Sequence, residues 1–231
     1  MTHTTTRQAS KMRRLAHVVR HAPDRALHPL RRRLRMRRLA ALGPPRSVLF
    51  VCQGNICRSP YAAGAFLRAL PDGWRTRVAV SSAGFVGPGR GSPTTALRVA
   101  SRRGVDLTAH RSRLVSARAV ERTDLVVVMD TEQRRRILRR CRIDSDRVLV
   151  LGDLDPQPIT RRAIRDPLDQ EEAAFEASYA RIDRCVGELV GACSRQRHRP
   201  DSRRKARGPP RWWCRCRARR SARRPRHDDE P

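Results

Sequence analysis

The chain has 231 residues and a formal net charge of +30, from 52 basic and 22 acidic residues. This length suits one domain of about 150 residues with extensions. The sequence contains no apolar run of about 18 residues and no apolar N-terminal stretch with a cleavage site, so we expect neither a transmembrane helix nor a secretory signal.

The positive charge is concentrated at the two ends of the chain. Residues 1–46 carry 13 basic and one acidic residue, and residues 195–231 carry 15 basic and four acidic residues. The middle has an ordinary globular composition. We therefore expect three regions: a basic, solvated N-terminal arm over 1–46, partly helical or disordered; a domain over 47–193; and a basic, disordered tail over 194–231. Pro23 and Pro29 should interrupt helices in the arm.

The seven cysteines form no pair of C-x2-C motifs that would hold a metal ion. A reactive thiol must stay reduced, so we expect a cytoplasmic protein, and we expect no metal site. The chain also lacks a Gly-Lys dipeptide, which excludes a Walker-type nucleotide loop. We expect no cofactor.

Strand-like and helix-like segments alternate through the middle of the chain. Apolar runs predict strands at 47–51, 76–81, 125–129 and 147–151, and helical periodicity predicts helices at 60–70, 94–103, 131–140 and 171–190. This alternation predicts an α/β fold in which a parallel sheet has helices on both faces. Ligands of such folds bind beyond the carboxyl ends of the strands.

A cysteine stands at the carboxyl end of the first predicted strand. Five residues separate Cys52 from Arg58, and Pro60 then permits a helix to begin. A loop of this length wraps a tetrahedral oxyanion with its backbone N–H groups, and the positive end of the helix faces the same point. Positive potential favours the thiolate of Cys52, and a thiolate beside a bound phosphate is a nucleophile. Arg58 supplies a planar fork for two phosphate oxygens.

This segment resembles the signature of the low-molecular-weight protein-tyrosine phosphatases. The resemblance continues in the family's order through Asp166-Pro167 and covers about 47–190. It implies a flavodoxin-like three-layer fold with a four-stranded parallel sheet, no metal, and hydrolysis of phosphotyrosine in a protein substrate through a phosphocysteine. The matching segments are Val51-Cys52-Gln53-Gly54-Asn55-Ile56-Cys57-Arg58-Ser59-Pro60, Ser82-Ala83-Gly84, 108–113, 127–130 and Asp166-Pro167.

The resemblance assigns the role of general acid to Asp166. In that role the carboxyl group protonates the leaving phenolate and then, as a base, activates the water that hydrolyses the phosphocysteine. Asp153, Asp155 and Asp169 are rival carboxylates nearby, but only Asp166 precedes a proline just ahead of the last helix.

Supporting roles in the loop are also implied by the resemblance. Asn55 is expected to hold the loop in a strained conformation through hydrogen bonds to Ser59 and Ser82. Ser59 is further expected to donate a hydrogen bond to the sulfur of Cys52. Cys57 is expected to form a reversible disulfide with Cys52 under oxidation, which protects the thiolate.

Two positions bear on the substrate. Ile56 stands where the related protein-arginine phosphatases carry a threonine, and a β-branched apolar group favours an aryl phosphate over a guanidinium phosphate. Leu168 and Asp169 stand where many family members carry aromatic residues. Phe85 or Tyr61 could replace that aromatic wall.

Alternatives remain open at this point. A protein-arginine phosphatase or an arsenate reductase uses the same loop, and the reductase requires further thiols, for which Cys185 and Cys193 are candidates. A catalytically idle basic binding protein is a third alternative, although the presence of Cys52, Arg58 and Asp166 together argues against it. We expect a monomer whose basic extensions make at most weak contacts with an anionic membrane or a nucleic acid.

Overall fold

The computed structural model describes residues 22–194, so residues 1–21 and the predicted tail from 195 lie outside the described part. Its centre is a parallel sheet in the order β2-β1-β3-β4, which confirms the predicted four-stranded sheet. The strands are β1 (Ser47–Cys52), β2 (Ala79–Gly84), β3 (Leu125–Val128) and β4 (Val148–Val150). β2 lies later than predicted: its pairing with β1 begins at Ala79, opposite Ser47, and ends at Gly84, opposite Cys52.

Eight helices surround the sheet within residues 22–194. The four predicted helices are present, and three short helices and one long N-terminal helix accompany them. They are α1 (Ala22–Ala26), α2 (His28–Leu42), α3 (Arg58–Ala69), α4 (Asp72–Arg75), α5 (Thr94–Arg102), α6 (Ala117–Glu121), α7 (Thr131–Arg140) and α8 (Glu172–Ser194). None of the described helices is both long and apolar enough to cross a membrane.

Strands β1, β3 and β4 are buried on both faces, which explains their apolar runs, whereas the first four residues of β2 are only partly buried. Alternate side chains of β1 point to opposite sides, so Phe50 and Val51 belong to different hydrophobic clusters. The cluster containing Phe50 includes side chains of α2, α3, α5 and α8, and the cluster containing Val51 includes side chains of α6 and α7. The result is a three-layer arrangement in which Cys52, the last residue of β1, lies at the carboxyl end of the parallel strands.

Helix α2 differs from the solvated arm that the charge pattern suggested. Pro29 stands in its first turn, where proline is tolerated, so it helps to begin the helix rather than interrupt it. His28 and Leu39 are buried. The imidazole Nε2 of His28 lies 2.9 Å from the backbone oxygen of Asp155, in the segment that leads toward Asp166.

The arginines of α2 have carboxylate partners far away in the sequence. The Nε atoms of Arg31 and Arg35 lie 4.0 and 3.7 Å from the carboxylate of Asp153, which is completely buried. Arg162 binds the same carboxylate through two hydrogen bonds of 2.8 Å. Part of the apparent excess charge of the arm therefore compensates a buried anion.

Candidate active site

The Cys52 thiol lies at the base of the loop that joins β1 to α3. Its Sγ accepts a hydrogen bond of 3.2 Å from the backbone N–H of Asn55 and lies 3.1 Å from Oγ of Ser59. Helix α3 begins at Arg58 without a side-chain cap, so its first N–H groups leave a partial positive charge beside the loop. A backbone N–H, a hydroxyl and a helix N-terminus therefore lie beside the Cys52 sulfur.

Asn55 joins the loop to three other segments. Its backbone has a φ of 52°, which is in the left-handed region that non-glycine residues rarely adopt. The side-chain Nδ2 donates to the hydroxyls of Ser59 and Ser82, both at 2.9 Å, and Oδ1 accepts from the backbone N–H of Arg113 at 2.8 Å. The structure thus brings together Asn55 and the two serines that the resemblance paired with it.

Gly84 allows β2 to end directly against the loop. A Cβ atom at this position would lie 2.8 Å from the backbone N of Asn55 and 2.8 Å from the backbone O of Gln53. Both distances are shorter than van der Waals contact, and both neighbours are backbone atoms that cannot move independently. The Ser82-Ala83-Gly84 segment therefore requires glycine for close approach rather than for an unusual φ.

Arg58 is buried at the start of α3, and its guanidinium faces the cleft. Nη1 donates to the backbone oxygen of Ile164 at 3.2 Å, and Nη2 forms a short ion pair with the carboxylate of Asp166. The buried Nε has no hydrogen-bond partner in the described residues. A guanidinium with an unused donor, paired to a carboxylate that is 42% exposed, can exchange that carboxylate for a bound oxyanion.

The structure separates Asp166 from its rivals. Asp153 and Asp155 are buried in arginine clusters, where Asp155 binds Arg181 at 2.9 Å and Arg184 at 3.1 Å. Asp169 lies on the exposed surface and does not line the cleft. Of the four carboxylates, Asp166 alone lines the cleft beside Arg58.

Three other thiols of the domain ionise less readily than a free cysteine. Burial, together with the nearby charges of Asp166 and Cys52, raises the pKa of Cys57 to about 12. Burial likewise raises the pKa values of Cys185 and Cys193 to about 12, and both side chains are buried along α8. Such helix-bound thiols do not suit the mobile relay that an arsenate reductase requires.

A cleft of about 430 Å³ opens above Arg58. Phe85 lines it, so this aromatic residue is available to face a substrate ring. Tyr61 is not: it is buried, stacks on Tyr179 with ring centroids 3.8 Å apart, and donates to Asp183. Leu168 packs against the hydrophobic core instead of forming a wall of the cleft.

The remaining loop residues have mostly structural contacts. Gln53 lines the cleft, and its backbone oxygen accepts hydrogen bonds from the N–H groups of Phe85 and Val86. The backbone oxygen of Gly54 accepts from Arg90 at 3.3 Å. Ile56 is buried in the hydrophobic core, so its predicted effect on the substrate stays a prediction.

Sequence reasoning missed a role for His110. Its Nε2 lies 2.6 Å from the backbone oxygen of Asn55. The imidazole therefore fixes the backbone of Asn55, whose side chain is bonded to Ser59 and Ser82. Burial, together with the charges of Arg113 and Arg111, lowers the pKa of His110, although the hydrogen bond to Asn55 opposes this shift. The neutral imidazole with its proton on Nε2 therefore donates to Asn55. The resemblance at 108–113 contained this signal, but the sequence did not show where the segment folds back.

The comparisons with known proteins point to one family. The family model for low molecular weight phosphotyrosine protein phosphatase matches residues 47–199. A Ralstonia solanacearum protein named as a probable low molecular weight protein-tyrosine-phosphatase, EpsP, is 36% identical over 147 residues, which are 63% of this chain and 94% of that protein.

Solved structures show the same fold. The Erwinia amylovora tyrosine phosphatase AmsI superposes with a TM-score of 0.58 at 28% identity, covering 65% of this chain and 94% of its own. The Escherichia coli K30 tyrosine phosphatase Wzb, solved in complex with sulphate, superposes with a TM-score of 0.56 at 25% identity, covering 64% and 97%. The cysteine loop, the parallel sheet and these matches show that the chain belongs to the low molecular weight phosphotyrosine protein phosphatase family.

Proposed function

We propose that this protein hydrolyses phosphotyrosine in proteins through a cysteinyl-phosphate intermediate. The observation that carries the proposal is the Cys52 sulfur, which has two hydrogen-bonding neighbours at the base of a loop whose mouth holds Arg58 and Asp166. The relatives named as tyrosine phosphatases, one of them solved with the oxyanion sulphate, support the same chemistry.

In the first step the Cys52 thiolate attacks phosphorus and the bond from phosphorus to the tyrosine oxygen breaks. The Asp166 carboxylate, which the substrate displaces from Arg58, takes up the proton of a monoprotonated phosphate group and donates it to that oxygen, so tyrosine leaves as a neutral phenol. Arg58 releases the Asp166 carboxylate and binds two phosphoryl oxygens, and the loop N–H groups and the α3 terminus stabilise the charge that develops on them.

In the second step water attacks the cysteinyl-phosphate. Asp166, now ionised, accepts a proton from the water as its oxygen bonds to phosphorus, and the bond from sulfur to phosphorus breaks. Ser59 donates a hydrogen bond to the departing sulfur, which stabilises the thiolate. Inorganic phosphate leaves and both groups return to their starting states.

The test compares variants on two aryl phosphates. Cys52→Ser should abolish turnover, and Asp166→Asn should lower kcat by about a hundredfold or more on phenyl phosphate. The Asp166→Asn loss should be smaller on para-nitrophenyl phosphate, because para-nitrophenolate leaves without protonation. Asp169→Asn, which removes an exposed neighbouring carboxylate, is the matched control and should retain activity.

Two outcomes contradict the proposal. Turnover by Cys52→Ser equal to that of the unchanged protein would exclude the mechanism. Faster turnover of phosphoarginine peptides than of phosphotyrosine peptides would exclude the substrate.

The proposal includes protection of the nucleophile by Cys57. Peroxide oxidises the Cys52 thiolate to a sulfenic acid, and the Cys57 thiol then displaces water from it to form a disulfide. Activity lost to peroxide should return with a thiol reductant. The Cys57→Ser variant should recover less under the same treatment, and equal recovery would contradict this role.

A further inference from the structure

Three arginines of the cleft have no carboxylate partner among the described residues. Within residues 22–194, the side chains of Arg136 and Arg161 make no ion pair, and that of Arg165 makes one hydrogen bond, 2.8 Å to the amide oxygen of Gln170. Their sequence neighbours differ: Arg135 binds Glu132 at 3.3 Å, and Arg162 binds Asp153 at 2.8 Å. We call Arg136, Arg161 and Arg165 the arginine wall.

The carboxylates of the cleft are already engaged. Asp130 accepts a hydrogen bond from the backbone N–H of Gln133 and caps α7. Glu132 binds Arg139 as well as Arg135, and Asp166 binds Arg58. Within residues 22–194, none of these carboxylates forms an ion pair with the arginine wall.

The position of the wall is partly fixed before any ligand binds. The guanidinium of Arg136 lies 4.2 Å from the centroid of the Phe85 ring, which orients it over the cleft. Burial, followed by repulsion from Arg165 and Arg181, lowers the pKa of Arg161. This mutual repulsion is relieved when an anion binds between the guanidinium groups.

We propose that the arginine wall binds carboxylates of the substrate chain, so that this enzyme selects phosphotyrosines that lie among Asp and Glu residues. The inference rests on the proposed function, since the phosphotyrosine must enter the Cys52 loop for its flanking residues to meet the wall. Phe85 and Arg136 together then present an aromatic surface and a cation at the mouth of one cleft.

The test uses a pair of phosphotyrosine peptides, one with glutamates around the phosphotyrosine and one with glutamines at the same positions. Each ion pair at a partly exposed site contributes little, so three together should raise kcat/KM for the acidic peptide by about tenfold. In the triple variant Arg136→Gln, Arg161→Gln, Arg165→Gln the two peptides should react about equally.

A matched variant removes the same charge elsewhere. Arg118 lies on α6 and Arg122 follows it, just before β3 begins, and Arg140 is the last residue of α7. All three therefore lie toward the end of the sheet where the strands begin, away from the cleft. The variant Arg118→Gln, Arg122→Gln, Arg140→Gln should keep the preference for the acidic peptide. Raising the salt concentration should reduce the preference of the unchanged protein, a result that does not depend on any variant folding.

The outcomes are distinguishable. Equal kcat/KM for the two peptides in the unchanged protein at low salt overturns the inference and leaves the proposed function standing. A preference that both triple variants lose equally also overturns it, because net charge and not the wall would then be responsible. Absence of turnover on both peptides and on aryl phosphates contradicts the proposed function, and the inference falls with it.

Discussion

Asn55 shows how one side chain organises the site. Every polar group of this residue forms a hydrogen bond. The backbone N–H donates to Cys52, the side-chain amide donates to Ser59 and Ser82, and the backbone oxygen accepts from His110. These bonds offset the cost of the left-handed backbone, which is about 1 kcal/mol or more for a non-glycine residue. The loop is therefore shaped before substrate binds.

His110 should make stability depend on pH. Its folded-state pKa is lowered from 6.5, so below that pH the unfolded chain binds more protons than the folded protein. The stabilisation is present above pH 6.5, and it is lost as the pH falls through the lower folded-state value. Urea unfolding at a series of pH values should show a steeper decline for the unchanged protein than for His110→Gln.

The glutamine variant is suitable because its side-chain amide can donate to Asn55 but cannot ionise. Its free energy of unfolding above pH 7 should lie within about 1 kcal/mol of the unchanged protein. His28 is present in both proteins, so its contribution cancels. Parallel pH curves for the two proteins would show that His110 does not titrate in this way.

The site could be predicted from sequence where it is contiguous. Residues 52–59 form one loop, so the spacing of Cys52 and Arg58 was sufficient to predict a phosphate cradle. The partners of Arg58 and Asn55 lie 108 and 55 residues away, at Asp166 and His110. Only a resemblance could supply Asp166, and nothing in local spacing pointed to His110.

At the scale of elements, the arginines of α2 have unequal environments. Arg31 and Arg35 face the buried carboxylate of Asp153, whereas Arg33 and Arg37 lie on the exposed face of the same helix. The variant Arg31→Gln, Arg35→Gln should lower the free energy of unfolding by about 1–2 kcal/mol, because Asp153 keeps only Arg162 as a close partner. Urea denaturation measures the difference.

The control carries the same charge loss on the same helix. Arg33→Gln, Arg37→Gln should change the free energy of unfolding by no more than about 0.5 kcal/mol. Equal losses in the two double variants would mean that helix propensity or net charge, and not the pairing with Asp153, determines the stability of this region.

The core elements were predictable because their side chains repeat with a clear period. The apolar run of β1 and the spacing of Tyr179 and Ile182 in α8 identified their elements within a few residues. The docking of α2 was not predictable, since a helix with six arginines resembles a solvated one until its partners are known. Several partners of α2 lie more than 100 residues downstream, at Asp153, Leu154 and Asp155 and at Glu188 of α8.

At the scale of the whole molecule, the charge of +30 remains far from balanced. Contact of the basic extensions with an anionic surface stays a prediction. The full chain should be retained weakly on anionic vesicles or on DNA at low salt and released as salt rises, because added ions screen the attraction. Zwitterionic vesicles are the control, and absence of retention on both anionic surfaces at low salt would exclude the contact.

The contacts of the buried Asp153 show that the range matched by the family model and the range that folds together are different. The homologous unit, as matched by the family model, begins at residue 47. The folding unit begins earlier, because His28, Arg31 and Arg35 complete the environment of the segment that leads to Asp166. A chain shortened to the homologous unit would keep Cys52, Arg58 and Asp166 and lose part of the support for the segment that leads to Asp166.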